Sequence, residues 1–113
     1  MRSRRQVLSA GNSIRTHVSD GRARVQVEGA LDLATRDRFL AEVEASLDAD
    51  VLELDLRDLE YVDSTGLSAI IQANKRSEAE IGRRARLLIT EDGPVRRMLE
   101  LTLLHLTLDV RVA

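Results

Sequence analysis

The sequence has no cysteine, no tryptophan and a single proline among its 113 residues. Without cysteine, the chain can form no disulfide bond, and it offers neither a thiolate ligand to a metal ion nor a thiol nucleophile. Apolar runs are also short, because none approaches the roughly 20 residues that a membrane-spanning helix needs. We therefore expect a cytoplasmic protein that does not insert into a membrane.

Aromatic residues are also few, and the net charge is small. Phe39 and Tyr61 are the only aromatic side chains, and the formal net charge is −2. Proteins that bind single-stranded nucleic acid usually stack bases on aromatic side chains, and a basic surface favours binding to any nucleic acid. The arginine clusters at residues 2–5, 83–86 and 96–97 lack aromatic neighbours, so we expect no nucleic-acid partner.

Patterns for catalysis and metal binding are missing as well. Ser64 does not lie in the Gly-x-Ser-x-Gly of a nucleophile elbow, and the sequence has no Gly-x-x-x-x-Gly-Lys phosphate loop. His17 and His105 are the only histidines, so no histidine pair can bind zinc from one helix face. We expect a protein that is not an enzyme and that has no metal site and no cofactor.

The composition is that of a folded globular domain. It is 43% hydrophobic and 32% charged, and the length suits one compact domain. Residues 1–12 show no hydrophobic period and end in a Gly-Asn turn signal, which predicts a flexible basic amino-terminal arm. Residues 13–113 are predicted to form the domain.

Two short segments of alternating apolar and polar residues follow the arm. They cover residues 14–18 and 23–27, and an Asp-Gly pair lies between them at residues 20–21. Alternating segments joined by Asp-Gly are typical of a β-hairpin. Gly29 is predicted to end the second strand, and Asp32 is predicted to be the N-cap of the helix that follows.

Helices and strands then alternate to the end of the chain. The first helix is predicted from one stripe with spacings of three and four residues, formed by Leu33, Arg36, Leu40, Val43 and Leu47. A second helix, with Leu67, Ile70 and Ile71 on one face, is predicted to begin at about Ser64 and to end at Gly82. A third is predicted to begin near Pro94.

Strands are predicted at residues 51–56, 85–90 and 106–112, with a loop at residues 57–62. The predicted order is β-β-α-β-α-β-α-β, which indicates an α/β fold with a mixed sheet of about five strands. The pattern does not decide whether the helices cover one face of this sheet or both.

The segment Asp63-Ser64-Thr65-Gly66-Leu67 lies where a helix begins. Free backbone N–H groups and the helix dipole favour negative charge there, so a hydroxyl at this point can hold a phosphate. A glycine early in a helix lowers stability by about 0.5–1 kcal/mol relative to alanine. Helix formation therefore does not explain why a glycine occupies position 66. Either another molecule approaches the Ser64 hydroxyl closely, or Asp63 and Ser64 form a helix cap and Gly66 is needed for packing.

The same segment, placed after the strand at residues 51–56, resembles the signature of STAS domains, in particular that of bacterial anti-sigma factor antagonists. Residues 29–32, Gly-Ala-Leu-Asp, are similar to the Gly-Glu-Leu-Asp that follows the second strand in this family. The resemblance extends over the chain from about residue 13 and implies a single STAS-like domain. This chain has Thr-Leu-Leu at residues 102–104 where the family often has Ser-Gly-Leu, so that turn is expected to differ.

The resemblance also implies a phosphorylation switch. An unphosphorylated antagonist binds an anti-sigma factor, which is a serine kinase with a histidine-kinase-like ATPase fold, and so frees the sigma factor. The kinase phosphorylates the serine that corresponds to Ser64, the antagonist is released, and a serine phosphatase of the PP2C type resets it.

By the same resemblance, Asp32 is expected near the kinase-facing surface. The residues expected to take part in partner binding are Asp32, Asp63, Ser64, Thr65, Gly66 and Leu67. The alternative is a STAS binding module outside sigma control, such as a stressosome scaffold or a transporter-associated subunit.

Overall fold

The computed structural model describes residues 4–9, 12–102 and 107–112. This part of the chain contains seven strands and three helices. In chain order they are β1 (Arg4–Ser9), β2 (Asn12–Ser19), β3 (Arg22–Leu31), α1 (Arg36–Glu44), β4 (Val51–Asp55), β5 (Leu59–Val62), α2 (Ser64–Glu80), β6 (Arg86–Ile89), α3 (Pro94–Thr102) and β7 (Asp109–Val112).

Six of the strands form one path in the order β1-β2-β3-β4-β6-β7, and β5 pairs with the end of β3. The first three strands are antiparallel, whereas β3, β4, β6 and β7 run parallel to one another. The predicted α/β fold with a single mixed sheet is therefore confirmed. The sheet has more strands than the five expected, because β1 and β5 add to it.

The predicted hairpin is confirmed. β2 and β3 pair antiparallel from Ser19↔Arg22 to Ser13↔Glu28. Asp20 and Gly21 form the turn with φ values of 54° and 75°, and positive φ at both central residues is the geometry that suits a two-residue hairpin.

The core lies on one face of the sheet. Alternate residues of β3 and β4, such as Val25 and Leu54, are buried in one cluster with Phe39 of α1, Ile70 of α2 and Leu99 of α3. Because a strand turns successive side chains to opposite faces, all three helices cover the same face. The sequence pattern left this question open.

Two strands were not predicted, and a third is longer than predicted. Residues 4–9, expected in a flexible arm, form β1 on the edge of the sheet, and residues 59–62, expected in a loop, form β5. β3 continues past Gly29 to Leu31, with a shift of register between Gly29 and Ala30. The first half of β3 pairs with β4, and its end, residues 29–31, pairs with β5.

The last predicted strand is described only in part. The described portion, β7, begins at Asp109. Residues 103–106, which include His105 and most of the Thr-Leu-Leu turn, lie outside the described residues, as do residues 1–3, 10, 11 and 113.

The first helix begins later than predicted. α1 starts at Arg36 and its N-cap is Thr35, so the prediction of Asp32 as the N-cap is wrong. Leu33 was predicted to lie on the buried apolar stripe of this helix. It is 70% exposed, because it lies in a turn before the helix begins. Val43 of the predicted stripe is buried, together with Phe39 and Glu42, which were not on it. Among the described helices, none is long and apolar enough to cross a membrane.

Candidate functional site

The candidate site lies at the carboxyl ends of β3 and β5. These strands pair in parallel, with Leu31 opposite Val62. Asp32 and Asp63 each follow this pair by one residue, so both aspartates leave the sheet at the same edge. Ser64, the next residue, is the first residue of α2.

Asp63 forms the amino-terminal cap of α2. Its backbone is extended, with φ −111° and ψ −171°, and its side chain accepts a hydrogen bond from the Gly66 amide. The Oδ1···N distance is 2.9 Å, and the Asp63 carbonyl oxygen accepts from the Leu67 amide at the same distance. The carboxylate therefore satisfies an amide that the helix leaves free, and its charge suits the positive end of the helix dipole.

The two hydroxyls that follow differ in exposure. Ser64 is exposed, whereas Thr65 is only partly exposed. The amides of Ser64 and Thr65 precede the first intrahelical hydrogen bond of α2, and such amides can bind an anion. A phosphate on Ser64 could use these two groups, but the Gly66 amide is already occupied by Asp63.

Gly66 is required by packing within the domain. A Cβ atom at this position would lie 2.0 Å from the carbonyl oxygen of Leu31 and 2.9 Å from a methyl group of Val62. The first turn of α2 thus touches the chain where β3 ends, and only glycine fits. Of the two explanations left open by the sequence, the structure supports the cap and the packing glycine.

Leu67 is buried too, with 7% of its surface exposed, and it packs in the core with Ile70. Gly66 and Leu67 were expected among the partner-binding residues. Both are buried in the domain, and both help to fix the position of Ser64.

Asp32 holds the turn between β3 and α1. Its Oδ1 accepts hydrogen bonds from the amides of Ala34 at 3.0 Å and Thr35 at 3.3 Å. The Thr35 hydroxyl accepts from the Asp32 amide at 3.1 Å and donates to the Ala30 carbonyl at 3.0 Å. The aspartate is therefore a structural residue of this turn as well as a partly exposed carboxylate of the site.

The described residues bring no histidine to Ser64. His17 lies in β2 opposite Arg24 and lines a groove with Arg22 and Gln26 on the sheet face away from the helices. Arg24 is seven strand residues from Leu31, a distance of roughly 23 Å. The geometry around Ser64 suits recognition of a hydroxyl or a phosphate more than general-base catalysis.

Two exposed apolar residues beside the site were not predicted. Tyr61, on β5, is 53% exposed, and Leu33 projects from the turn that Asp32 holds. The spacing of Asp32 and Thr35 contains the signal for that turn, since an aspartate often accepts from amides two and three residues ahead of it. Leu33 was instead predicted on the apolar stripe of the first helix, because its spacing to Arg36 and Leu40 matches a helical period.

Solved structures of similar fold include an anti-sigma factor antagonist from Mycobacterium paratuberculosis. It is 23% identical with a TM-score of 0.80, and the match covers 94% of this chain and 92% of that one. SpoIIAA in its unphosphorylated form is 13% identical with a TM-score of 0.62, over 98% and 89% of the two chains. Bacillus SpoIIAA in the phosphorylated form is 16% identical with a TM-score of 0.65, over 98% and 91%.

No curated protein matches the sequence significantly. A family model does match it, over residues 14–106, and its description is Mlab, STAS domain. The match includes β3, β5, the Asp32 turn and the whole of α1, α2 and α3. The chain therefore belongs to the STAS domain family.

Proposed function

We propose that this protein is an anti-sigma factor antagonist that is switched by phosphorylation of Ser64. The observation that carries the proposal is the exposed Ser64 hydroxyl at the first position of α2, held by the Asp63–Gly66 cap. The similarity of fold to anti-sigma factor antagonists supports it.

In the proposed cycle, the unphosphorylated protein binds an anti-sigma factor that is also a serine kinase, and thereby frees the sigma factor in the cytoplasm. The kinase transfers a phosphate to Ser64 and the complex separates. A PP2C-type phosphatase removes the phosphate. The protein itself acts by binding and carries out no chemistry.

The electrostatics of the site account for release. A phosphate adds a charge of about −1.5 to −2 at pH 7. Inside a contact shaped for a neutral hydroxyl, that charge must lose its water, and it also lies close to the Asp63 carboxylate. In the free protein the phosphate keeps its water and can accept hydrogen bonds from the first-turn amides, so the unbound state is favoured.

The test is incubation of the protein with each histidine-kinase-like serine kinase of its source organism and Mg-ATP, followed by mapping of the phosphate. We expect the label on Ser64. Ser64→Ala should bind the kinase without being released, because no phosphate can form, whereas Thr65→Val should still be labelled. Label on Thr65, or full labelling of Ser64→Ala, would contradict the assignment.

A second candidate function is a STAS binding module outside sigma control, such as a transporter-associated subunit or a stressosome scaffold. The matching family model is described as a STAS domain without reference to a sigma factor, which is compatible with this alternative. The alternative predicts that Ser64 is unphosphorylated or serves another kinase that controls no sigma factor, and that affinity capture with the wild-type chain recovers a permease subunit or a scaffold.

A further inference from the structure

Exposed apolar side chains are few and unevenly placed. Among the described residues, the large hydrophobic side chains with substantial exposure are Leu33 at 70%, Tyr61 at 53%, Leu101 at 84% and Val112 at 46%. Such residues scattered singly need no explanation. Leu33 and Tyr61, however, lie at the same end of the sheet as Ser64, since Tyr61 pairs with Ala30 at the ends of β5 and β3.

The turn that carries Leu33 touches the helix that carries Ser64. The close approach of the Leu31 carbonyl oxygen to Gly66 places the end of β3 against the first turn of α2. Leu33 follows two residues later, and Ser64 lies two residues before Gly66. Leu33, Tyr61 and Ser64 therefore all lie at this end of the sheet, with Tyr61 on the face opposite to the buried Val62.

The exposure of Leu33 is imposed by its turn. The Asp32 carboxylate, just before the leucine, accepts a hydrogen bond from the Ala34 amide just after it. The hydroxyl of Thr35, a residue that is 2% exposed, donates to the Ala30 carbonyl and so ties the end of the turn back to β3. The backbone is thus fixed at both ends of the turn with the leucine outside the core. An exposed leucine contributes little burial to the fold, so its stability does not require an apolar residue here.

The backbone position of Tyr61 is also fixed by its neighbours. It lies between two buried positions of β5, since Leu59 and Val62 pack in the core. Tyrosine offers a large and rigid contact area at a low cost in side-chain entropy, and it is enriched among the residues that dominate binding energy. A half-exposed tyrosine in a fixed strand is suited to anchor a partner.

The charges beside these residues are mostly negative. A carboxylate directly precedes each of the three surface residues, in the pairs Asp32-Leu33, Glu60-Tyr61 and Asp63-Ser64. Arginines offset this only in part. In α1, Arg36 is paired with Asp37 at 3.2 Å, which leaves Arg38, and in α3, which packs against β5, Arg96 is paired with Glu100 at 3.5 Å. A complementary partner surface would carry lysine or arginine side chains around an apolar centre.

We infer that Leu33 and Tyr61 are the apolar anchors through which the serine kinase of the proposed cycle holds this protein, and that the kinase presents an apolar pocket with a basic rim. This inference rests on the proposed function and names the chemistry of its partner.

The same arrangement explains why a basic rim does not retain the phosphorylated form. A phosphate on Ser64 enters the apolar centre of the contact, where water is excluded and a charge is costly. The basic groups lie at the solvated rim, where their attraction is screened by salt. The desolvation cost therefore exceeds the gain, and phosphorylation weakens binding.

The test uses the purified kinase that labels Ser64 and measures its Kd for the unphosphorylated full chain by calorimetry. We expect Leu33→Ser and Tyr61→Ser each to weaken binding about tenfold or more. Leu101→Ser is the matched control, because this leucine is more exposed than Leu33 and Tyr61 but lies in the last turn of α3. It should stay within about twofold of the wild type.

Charge is tested with a second pair of variants. Glu60→Lys should weaken binding severalfold and reduce its dependence on salt. Asp48→Lys is the control, since Asp48 is exposed near the start of β4, at the opposite end of the ten-residue strand β3. It should leave both quantities unchanged. Thermal unfolding of every variant checks that the fold is intact, and Leu33 is exposed enough for its replacement to be tolerated.

The outcomes separate the inference from the function on which it rests. If a kinase labels Ser64 but binds Leu33→Ser and Tyr61→Ser as tightly as the wild type, the anchors are wrong and the switch stands. If Glu60→Lys binds more tightly, the basic rim is wrong. If no kinase binds or labels the chain, the proposed function fails and the inference fails with it.

Discussion

Gly66 and Asp32 act on the same contact, the approach of the chain after β3 to the first turn of α2. Gly66 permits the approach because it has no side chain, and Asp32 shapes the turn that follows it. The position of Ser64 relative to the exposed Leu33 depends on both.

The effect of alanine at position 66 depends on that contact. Helix propensity alone would make Gly66→Ala more stable by about 0.5–1 kcal/mol. The added methyl group would meet the Leu31 carbonyl oxygen at 2.0 Å, so we expect destabilisation instead, by about 1–3 kcal/mol or more. Urea unfolding measures the sign. Ser68→Ala, at an exposed position of the same helix, should change stability by less than about 0.5 kcal/mol.

Asp32 has a structural role and a proposed recognition role, and two substitutions separate them. Asp32→Asn keeps the oxygen that accepts from Ala34 and Thr35, so stability should stay close to the wild type. Loss of the carboxylate charge should nevertheless weaken kinase binding and phosphorylation. Asp32→Ala loses the oxygen as well and should cost about 0.5–2 kcal/mol. A large loss of stability in Asp32→Asn with phosphorylation intact would show that the residue is structural only.

Single residues could be predicted from the sequence where a local rule applies. The Asp63 cap follows from an aspartate directly before a helix, and the structure has it. Packing was one of the two reasons offered for Gly66, but the contact itself could not be predicted, because its partner Leu31 lies 35 positions earlier in the chain. Leu33 was placed on the wrong surface because its apolar spacing matches a helix that begins only at Arg36.

Among the helices and strands, too, some could be predicted from a local signal and others could not. The hairpin, α2 and the start of α3 are formed from strong local signals, namely Asp-Gly, a long apolar stripe and a proline in the first turn. β5 has no such signal. Its four residues are buried, exposed, exposed and buried in turn, which does not follow the two-residue period of a strand. It exists because the bent end of β3 offers it a partner.

The buried face of α2 is tested with two adjacent residues. Leu67→Asp puts a carboxylate into the core beside Ile70 and should cost at least about 3 kcal/mol. Ser68→Asp places the same charge one residue further along the helix, at an exposed position, and should cost less than about 0.5 kcal/mol. Thermal and urea unfolding compare the two. Similar stability of both variants would contradict the packing of this face on the sheet.

On the scale of the whole molecule, the order of helices and strands was enough to predict an α/β fold. The sequence could not show that the helices cover only one face of the sheet. β3 and β4 carry charged residues at alternate positions, and this pattern suits an exposed face as well as a face of buried ion pairs. In the structure, the helix-free face carries such pairs. Glu53 and Asp55 are buried on the helix-free face, where Arg24 and Arg57 cover them with hydrogen bonds of 3.0 Å and 2.9 Å.

This arrangement makes the stability of the molecule depend on pH. Burial raises the pKa of Asp55, but the side-chain and backbone hydrogen bonds from Arg57, together with the charges of Arg57 and Arg24, outweigh burial and lower the pKa below its usual value. Asp55 has 4% of its side chain exposed and Arg57 has 38%, so the pair is only partly screened by water. Removing the arginine leaves a buried carboxylate without its main donor, which costs about 1–3 kcal/mol.

The sign of the pH dependence follows from the lowered pKa. The unfolded chain protonates Asp55 near pH 3.9, and the folded protein protonates it only at lower pH. The stabilisation is therefore complete from about pH 5 upward and is lost as the pH falls further, through the folded pKa. The free energies of unfolding of the wild type and of Arg57→Gln should differ by a constant amount between pH 7 and pH 5, and this difference should shrink on further acidification. Arg36→Gln, which breaks an exposed pair with Asp37, should show a difference near zero throughout. A difference for Arg57→Gln that stays constant or widens down to pH 2 would contradict the stabilising role of the Asp55–Arg57 pair.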